Sequence, residues 1–180
     1  MAVLIDAMMQ LLKGEVYMTK QQRTLAAEFL GTFLLAGAVF SGFNPFVALG
    51  ILVLLIGGIS GAHVNPAVTL GLASVKKLKM EEVVPYWVAQ LAGGVSASYV
   101  AVYLADTSLD YEFLSFDGRM FVAELLGAAI FLTGVTLAIS QKLDGIKLAA
   151  AVGGSLFLGA TLGGGINAAV AVGGGMINVW

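Results

Sequence analysis

Five apolar stretches dominate this 180-residue chain, at about Leu25–Phe40, Asn44–Ile59, Val84–Ala105, Met120–Ser140 and Leu148–Leu162. A helix needs roughly 20 apolar residues to cross the hydrocarbon of a bilayer, and these stretches approach or reach that length. The second and fifth are short and need tilt or neighbours to match the hydrocarbon. Only 11% of the residues are charged and 59% are hydrophobic, against about 25% charged in a soluble domain. Such a chain cannot cover a globular surface with polar groups. It reads as an all-α membrane protein with five full spans. With no cysteine, disulfides, thiol chemistry and zinc–thiolate sites are excluded.

The basic residues orient the chain. Lys13, Lys20 and Arg23 precede the first span, Lys76, Lys77 and Lys79 follow the second, and Lys142 and Lys147 follow the fourth. Only Arg119 falls on the other side, in a connection with Asp106, Asp110, Glu112 and Asp117. Lys and Arg collect on the cytoplasmic side, so the amino terminus is expected in the cytoplasm of a multi-pass protein of the cell membrane. Residues 1–23 form a cytoplasmic segment without the pattern of a signal peptide. Residues 1–17 are either an interfacial amphipathic helix or lie ahead of a natural start at Met18.

A repeat organises the rest. AEFLG at 27–31 returns as AELLG at 123–127, and GAHVNPAV at 61–68 returns as GGGINAAV at 163–170, at offsets of 96 and 102 residues. Three spans separate the two starts. An odd number reverses the chain's direction through the membrane, so the copies, about 24–105 and 119–180, are inverted within one domain, 24–180. Inverted repeats put a transport path at their shared axis near the midplane.

Polar residues mark that path. Glu28 and Glu124 each sit one turn inside an apolar helix, where a lipid-facing carboxylate is costly. Both should face inward, as acceptors for irregular backbone rather than as proton carriers. Asn65 and Pro66 form a helix start, because Asn is a favoured N-cap and Pro suits the first helical position. The apolar segment after it, Pro66–Val75, is half the length of a span. Asn167, Ala168 and Ala169 read as the inverted counterpart, with the second half-helix running from Ala168 to about Val172. Two half-helices meeting at the midplane would each present about half a positive charge. That field repels cations, while the asparagine amides can donate to a passing oxygen.

AEFLGTF at 27–33, SGAHVNPAVTLG at 60–71, YWVAQLAGG at 86–94 and AELLGAAIF at 123–131 resemble the aquaporin, or major intrinsic protein, family. The resemblance covers about residues 19–172. It implies an inverted repeat of membrane helices with two re-entrant half-helices, one pore per protomer, a homotetramer, and passive flow of water, glycerol or other small uncharged solutes. It also implies that Asn65 and Asn167 are the pore asparagines and that His63 lines a vestibule. Gln90, Glu28 and Glu124 would hold the re-entrant loops.

Two departures qualify that expectation. The family's filter arginine falls at Val170; the other filter positions fall at Ser155, Gly164 and either Pro45 or Leu49. Small uncharged residues there imply a wider, less polar constriction, with dissolved gases among the expected solutes. Only 13 residues follow Asn167, too few for a sixth span. A truncated product, a helix supplied by a neighbouring subunit, or a non-conducting structural relative would each account for that. No cofactor, metal or nucleic-acid partner is expected: the chain has a single histidine, no nucleophile–base pair and no phosphate loop, so an enzyme is not expected either. Tyr86 and Trp87, near a span start, read as interfacial anchors.

Overall fold

A computed structural model describes residues 18–106, 118–162 and 166–175, and among these the regular structure is helical. The helices are α1 (Lys20–Phe40), α2 (Pro45–Ser60), α3 (Pro66–Ser74), α4 (Val83–Ala105), α5 (Gly118–Ser140), α6 (Gly145–Ala160) and α7 (Ala168–Gly175), with a 3-10 turn at Met80–Glu82. Residues 1–17, Asp110, Glu112, Asp117 and Gly164 lie outside the described residues.

Helix α1 starts before its apolar stretch because a capping box holds it. Thr19 Oγ1 accepts from Gln22 N at 3.2 Å, and Gln22 Oε1 accepts from Thr19 N at 2.8 Å. Helix α2 starts at Asn44-Pro45, with Asn44 Oδ1 accepting from Phe46 N and Val47 N at 3.0 and 3.2 Å. It ends on Gly61, whose φ of 91° suits glycine. Helices α1, α4 (with its 3-10 turn) and α5 are long and apolar enough to span a bilayer; α2 and α6 have 16 residues each. At 1.5 Å per residue those two reach about 24 Å, a little less than a hydrocarbon core of about 30 Å. Lipid-facing side chains are abundant, including Leu55 and Leu104 at 66% and 76% exposure. In water such a surface would aggregate; in a bilayer it is solvated.

Without a hydrophobic drive between helices in lipid, small residues allow the close approaches that hold the bundle. Helix α1 packs along α4, starts together, because Lys20 and Gln21 border the same surface hollow as Lys79 and Glu82. Helices α2 and α6 run antiparallel. A Cβ on Gly153 would sit 2.6 Å from Phe46 O, and one on Gly50 would sit 3.3 Å from Ala149 O. At the α2 start and α6 end, Phe46 and Phe157 meet edge to face at 5.0 Å. Helices α5 and α6 cross where Gly127 and Gly159 face each other's backbone, at 2.7 and 2.5 Å from an added Cβ to the opposite carbonyl.

The half-helices α3 and α7 enter between these spans and leave toward opposite ends. Helix α7 continues through Gly173–Gly175, beyond the expected end near Val172. The reason is tertiary: a Cβ at Gly173 would lie 2.5 Å from Gly94 O and 3.1 Å from Phe40 Cζ. The glycine that weakens the helix in isolation is what lets it seat on α4.

Candidate functional site

The site is built where the half-helices meet, and it has two-fold character at atomic level. Asn65 Oδ1 caps α3 by accepting from Ala67 N at 2.9 Å, and Asn167 Oδ1 caps α7 by accepting from Ala169 N at 3.1 Å. The first helical bonds follow suit, Thr69 N to Asn65 O at 3.1 Å and Ala171 N to Asn167 O at 2.9 Å. Each side-chain amide then crosses to the other repeat. Asn65 Nδ2 donates to Ile166 O, and Asn167 Nδ2 donates to Val64 O, both at 2.8 Å. An amide nitrogen carries two protons. One is committed to the crossed bond, and the second is available to an oxygen in the adjoining cavity.

The carbonyls reach across because the residues before the asparagines are twisted. Val64 and Ile166 have φ of 41° and 26°, in the left-handed region that β-branched residues avoid. Such strain costs about 1–3 kcal/mol per residue and persists only where the surroundings enforce it. Val64 is seated by the glycine of the first Glu-X-X-Gly motif, whereas Ile166 lies closest to Gly159, where an added Cβ would be 3.0 Å from its Cδ1, and in ordinary contact range of Gly127 in the second motif. A Cβ on Gly31 would come within 2.7 Å of Val64 Cγ1, and one on Gly127 within 3.5 Å of Ile166 Cδ1.

The first re-entrant loop is held by Glu28, which is fully buried. Its Oε1 accepts from Ser60 Oγ at 2.6 Å and His63 N at 3.0 Å; its Oε2 accepts from Val64 N and Gln90 Nε2, both at 2.7 Å. Gln90 Nε2 also donates to Thr69 Oγ1 at 2.9 Å. Thr69 gives its one hydroxyl proton to Asn65 O at 3.1 Å. The His63 Nδ1 that lies 3.2 Å from Thr69 Oγ1 is then the protonated nitrogen of the ring. The carboxylate thus satisfies backbone that would otherwise be orphaned at membrane depth. Glu124 is half-buried at the matching turn of α5, and the loop stretch 163–165 lies outside the described residues.

Two supports are absent from the sequence reading. Tyr86 and Trp87, read as interfacial anchors, instead hold the loop. Tyr86 OH donates to Ser60 O at 2.8 Å and its ring lies 4.9 Å from the His63 ring; Trp87 Nε1 donates to Pro66 O at 2.9 Å. Their adjacency to Gln90 on one helix was the available signal, since residues 86, 87 and 90 share a face.

A partly open cavity of about 140 Å³ adjoins the asparagines. His63, Asn65, Asn167 and Val170 line it, as do both Pro45 and Leu49. Ser155 does not. It turns toward α5, against Gly134, and its Oγ donates to Ala151 O at 2.6 Å. Leu156 and Ala160, one turn apart, present α6 to the cavity instead. A count one residue out rotates a helix position by about 100°, enough to exchange Ser155 for Leu156. Pro66 is buried at its half-helix start, whereas the matching Ala168 is exposed and Ala169 is fully buried; Ala67 is half-buried.

Reversed apolar repeats and two half-helices capped at mid-bundle, with a cavity at their junction, define an all-α membrane fold of inverted repeats with re-entrant half-helices. The model of the family described as major intrinsic protein matches residues 45–179, three quarters of the chain, and the chain belongs to that family. Among curated relatives it is similar to Aquaporin Z of Brucella melitensis biotype 1, 35% identical over 99 residues, covering 45% of this chain and 43% of that protein. Similarity to Aquaporin-8 of Mus musculus is 32% over 132 residues, covering 66% and 49%. Aquaporin AqpM of Methanothermobacter thermautotrophicus is 36% identical over 113 residues, covering 44% and 46%. The matches thus span less than half the length of these relatives. Among solved structures, the aquaglyceroporin from Plasmodium falciparum superposes with a TM-score of 0.66 at 25% identity, covering 85% of this chain and 79% of that one.

Proposed function

We propose that the protein is a passive membrane channel for water or other small uncharged solutes, conducting past Asn65 and Asn167. One observation carries the reading: two oppositely directed half-helices are capped and cross-bonded by asparagines that border a cavity. Helix N-termini repel cations there, and the remaining amide protons replace hydrogen bonds that a permeating oxygen gives up. The names of the similar proteins, aquaporins and an aquaglyceroporin, support the same class.

In this reading residues 24–180 form one channel domain of two inverted repeats, 24–105 and 119–180. His63 lines the vestibule on one side of the asparagines. Val170, with Leu49 or Pro45, forms the constriction on the other. Glu28, Gln90 and Glu124 support the loops. The chain lies in the cell membrane with its amino terminus in the cytoplasm, and four copies assemble, each with its own pore.

The test is osmotic volume change of proteoliposomes holding only this chain, with water, glycerol and urea as permeants. Flux above that of empty liposomes is expected for at least one solute. Empty-liposome permeability for all three would favour a non-conducting structural role.

A further inference from the structure

His63 and Thr69 belong to the first copy of the repeat alone. Counted from Asn65 and Asn167, the second copy has Gly165 and Ala171 at the matching positions. Neither side chain is needed to cap a half-helix, since Asn167 caps α7 without them. Thr69 is fully buried, and its Oγ1 has three polar neighbours: Gln90 Nε2 at 2.9 Å, Asn65 O at 3.1 Å and His63 Nδ1 at 3.2 Å. An amide nitrogen only donates. Two oxygens at 3.1 Å repel unless a proton lies between them, so the hydroxyl proton belongs to the bond with Asn65 O. The remaining lone pair of Oγ1 faces His63 and requires a donor, which only Nδ1–H supplies. The rest of the ring is held as well. Tyr86 lies across it, with centroids 4.9 Å apart and planes 33° apart. Gly61, at φ 91°, brings backbone so close that an added Cβ would sit 2.9 Å from Nε2. Turning the ring over would set a carbon against Thr69 and forfeit the bond.

We propose that Thr69 is a positioning residue that locks His63 in the Nδ1–H tautomer, so that His63 gives the cavity an acceptor and selects solutes that donate hydrogen bonds as well as accept them. The selecting role rests on the channel reading; the lock does not. In neutral imidazole one nitrogen donates and the other accepts, so a proton held on Nδ1 leaves Nε2 as the acceptor. His63 lines the cavity together with Asn65 and Asn167. The asparagines turn their Oδ1 atoms to their own caps and offer donors only. A passing molecule therefore meets donors at the asparagines and an acceptor at His63. Water, alcohols and amides carry both complements. In the opposite tautomer His63 would add one more donor, and a solute's own N–H or O–H would find no acceptor on that ring.

The chain's single histidine makes the test direct. The full chain is labelled with ¹⁵N-histidine and reconstituted in proteoliposomes. Solid-state NMR at about pH 8, where an ordinary imidazole is neutral, reads which ring nitrogen carries the proton. The wild type is compared with Thr69→Ser, which keeps the acceptor, and Thr69→Val, which removes it. Thr69→Ala is a second removal that guards against misfolding of the valine variant. Osmotic water permeability is measured on the same preparations. The proton is expected on Nδ1 in the wild type and Thr69→Ser, and on Nε2 in the variants without a hydroxyl. Water permeability should fall about fivefold with the hydroxyl removed, the worth of one ordinary hydrogen bond, and recover in Thr69→Ser. A wild-type proton on Nε2 overturns the proposal without any variant. So does a proton that stays on Nδ1 when the hydroxyl is removed. A moved proton with unchanged water flux overturns the selecting role and leaves the channel reading standing. The expected tautomers without flux in any preparation uphold the lock and sink the channel.

Discussion

Asn65 and Asn167 each do two jobs with one side chain: the oxygen caps its own half-helix and the nitrogen ties down the other repeat. Replacing either with alanine removes a cap, about 1 kcal/mol, and a buried hydrogen bond of similar size. The two losses should not add, because each asparagine positions the carbonyl that the other uses. A double-mutant cycle of Asn65→Ala and Asn167→Ala, read as denaturation in detergent, is expected to give a coupling of about 1 kcal/mol; strict additivity would argue against the crossed pair. Glu28→Gln is the sharper change. A neutral amide offers one oxygen where the carboxylate uses two against four donors. About 3 kcal/mol should be lost to unsatisfied buried donors, seen as a lower apparent melting temperature; an unchanged value would mean that the loop does not depend on Glu28. At the apolar wall, Val170→Arg should lower glycerol flux, and flux insensitive to it would place the constriction elsewhere.

At the scale of elements, α4 supports both halves of the site. It holds the first half-helix through Trp87 and Gln90 and receives the second at Gly94, where a Cβ would collide with the Ala169 carbonyl. Gly94→Ala should displace α7, costing about 1–3 kcal/mol as overpacking does, and should lower solute flux with it. Gly37 on α1 is the contrast. A Cβ there meets nothing within 4 Å, so Gly37→Ala should be neutral or stabilising by up to about 1 kcal/mol, because alanine loses less backbone freedom in a helix. Equal effects from the two substitutions would refute the packing argument. Helix existence and type were legible in the sequence: all five apolar stretches are helices, and both half-helices begin at the expected asparagines. The end of α7 was not legible, because three glycines read locally as a break. That Leu156 rather than Ser155 faces the cavity was not legible for a related reason, since the rotation of α6 about its axis is set by its neighbours α2 and α5 rather than by its own residues.

For the whole molecule, the positive-inside pattern predicts that the loop carrying Lys76, Lys77 and Lys79 shares a side with the amino terminus. The chain has no cysteine, so single cysteines give a clean readout with a membrane-impermeant maleimide. Ser41→Cys should be labelled in intact cells and Lys77→Cys only after lysis; the reverse would invert the topology. Light scattering of the purified protein with the detergent contribution subtracted is expected to give four copies, and a monomer would remove the tetramer from the proposal.

The sequence by itself determined that the chain lives in a membrane, that its two halves are inverted, and that two short helices start within it at asparagines. Each of those follows from local quantities: length of apolar run, parity of spans, and the capping preference of Asn. Asn44-Pro45 shows the limit of such signals, for it begins α2 with the same cap chemistry as Asn65-Pro66 begins α3. Only the tertiary structure decided which start belongs to the site. It brought Asn65 to the Ile166 carbonyl and Asn167 to the Val64 carbonyl across 101 and 103 residues of chain, and it turned Leu156 rather than Ser155 toward the cavity. Those outcomes depend on how closely helices approach at Gly31, Gly94 and Gly127. Such approach is a property of pairs of surfaces, and no local period in the chain encodes it.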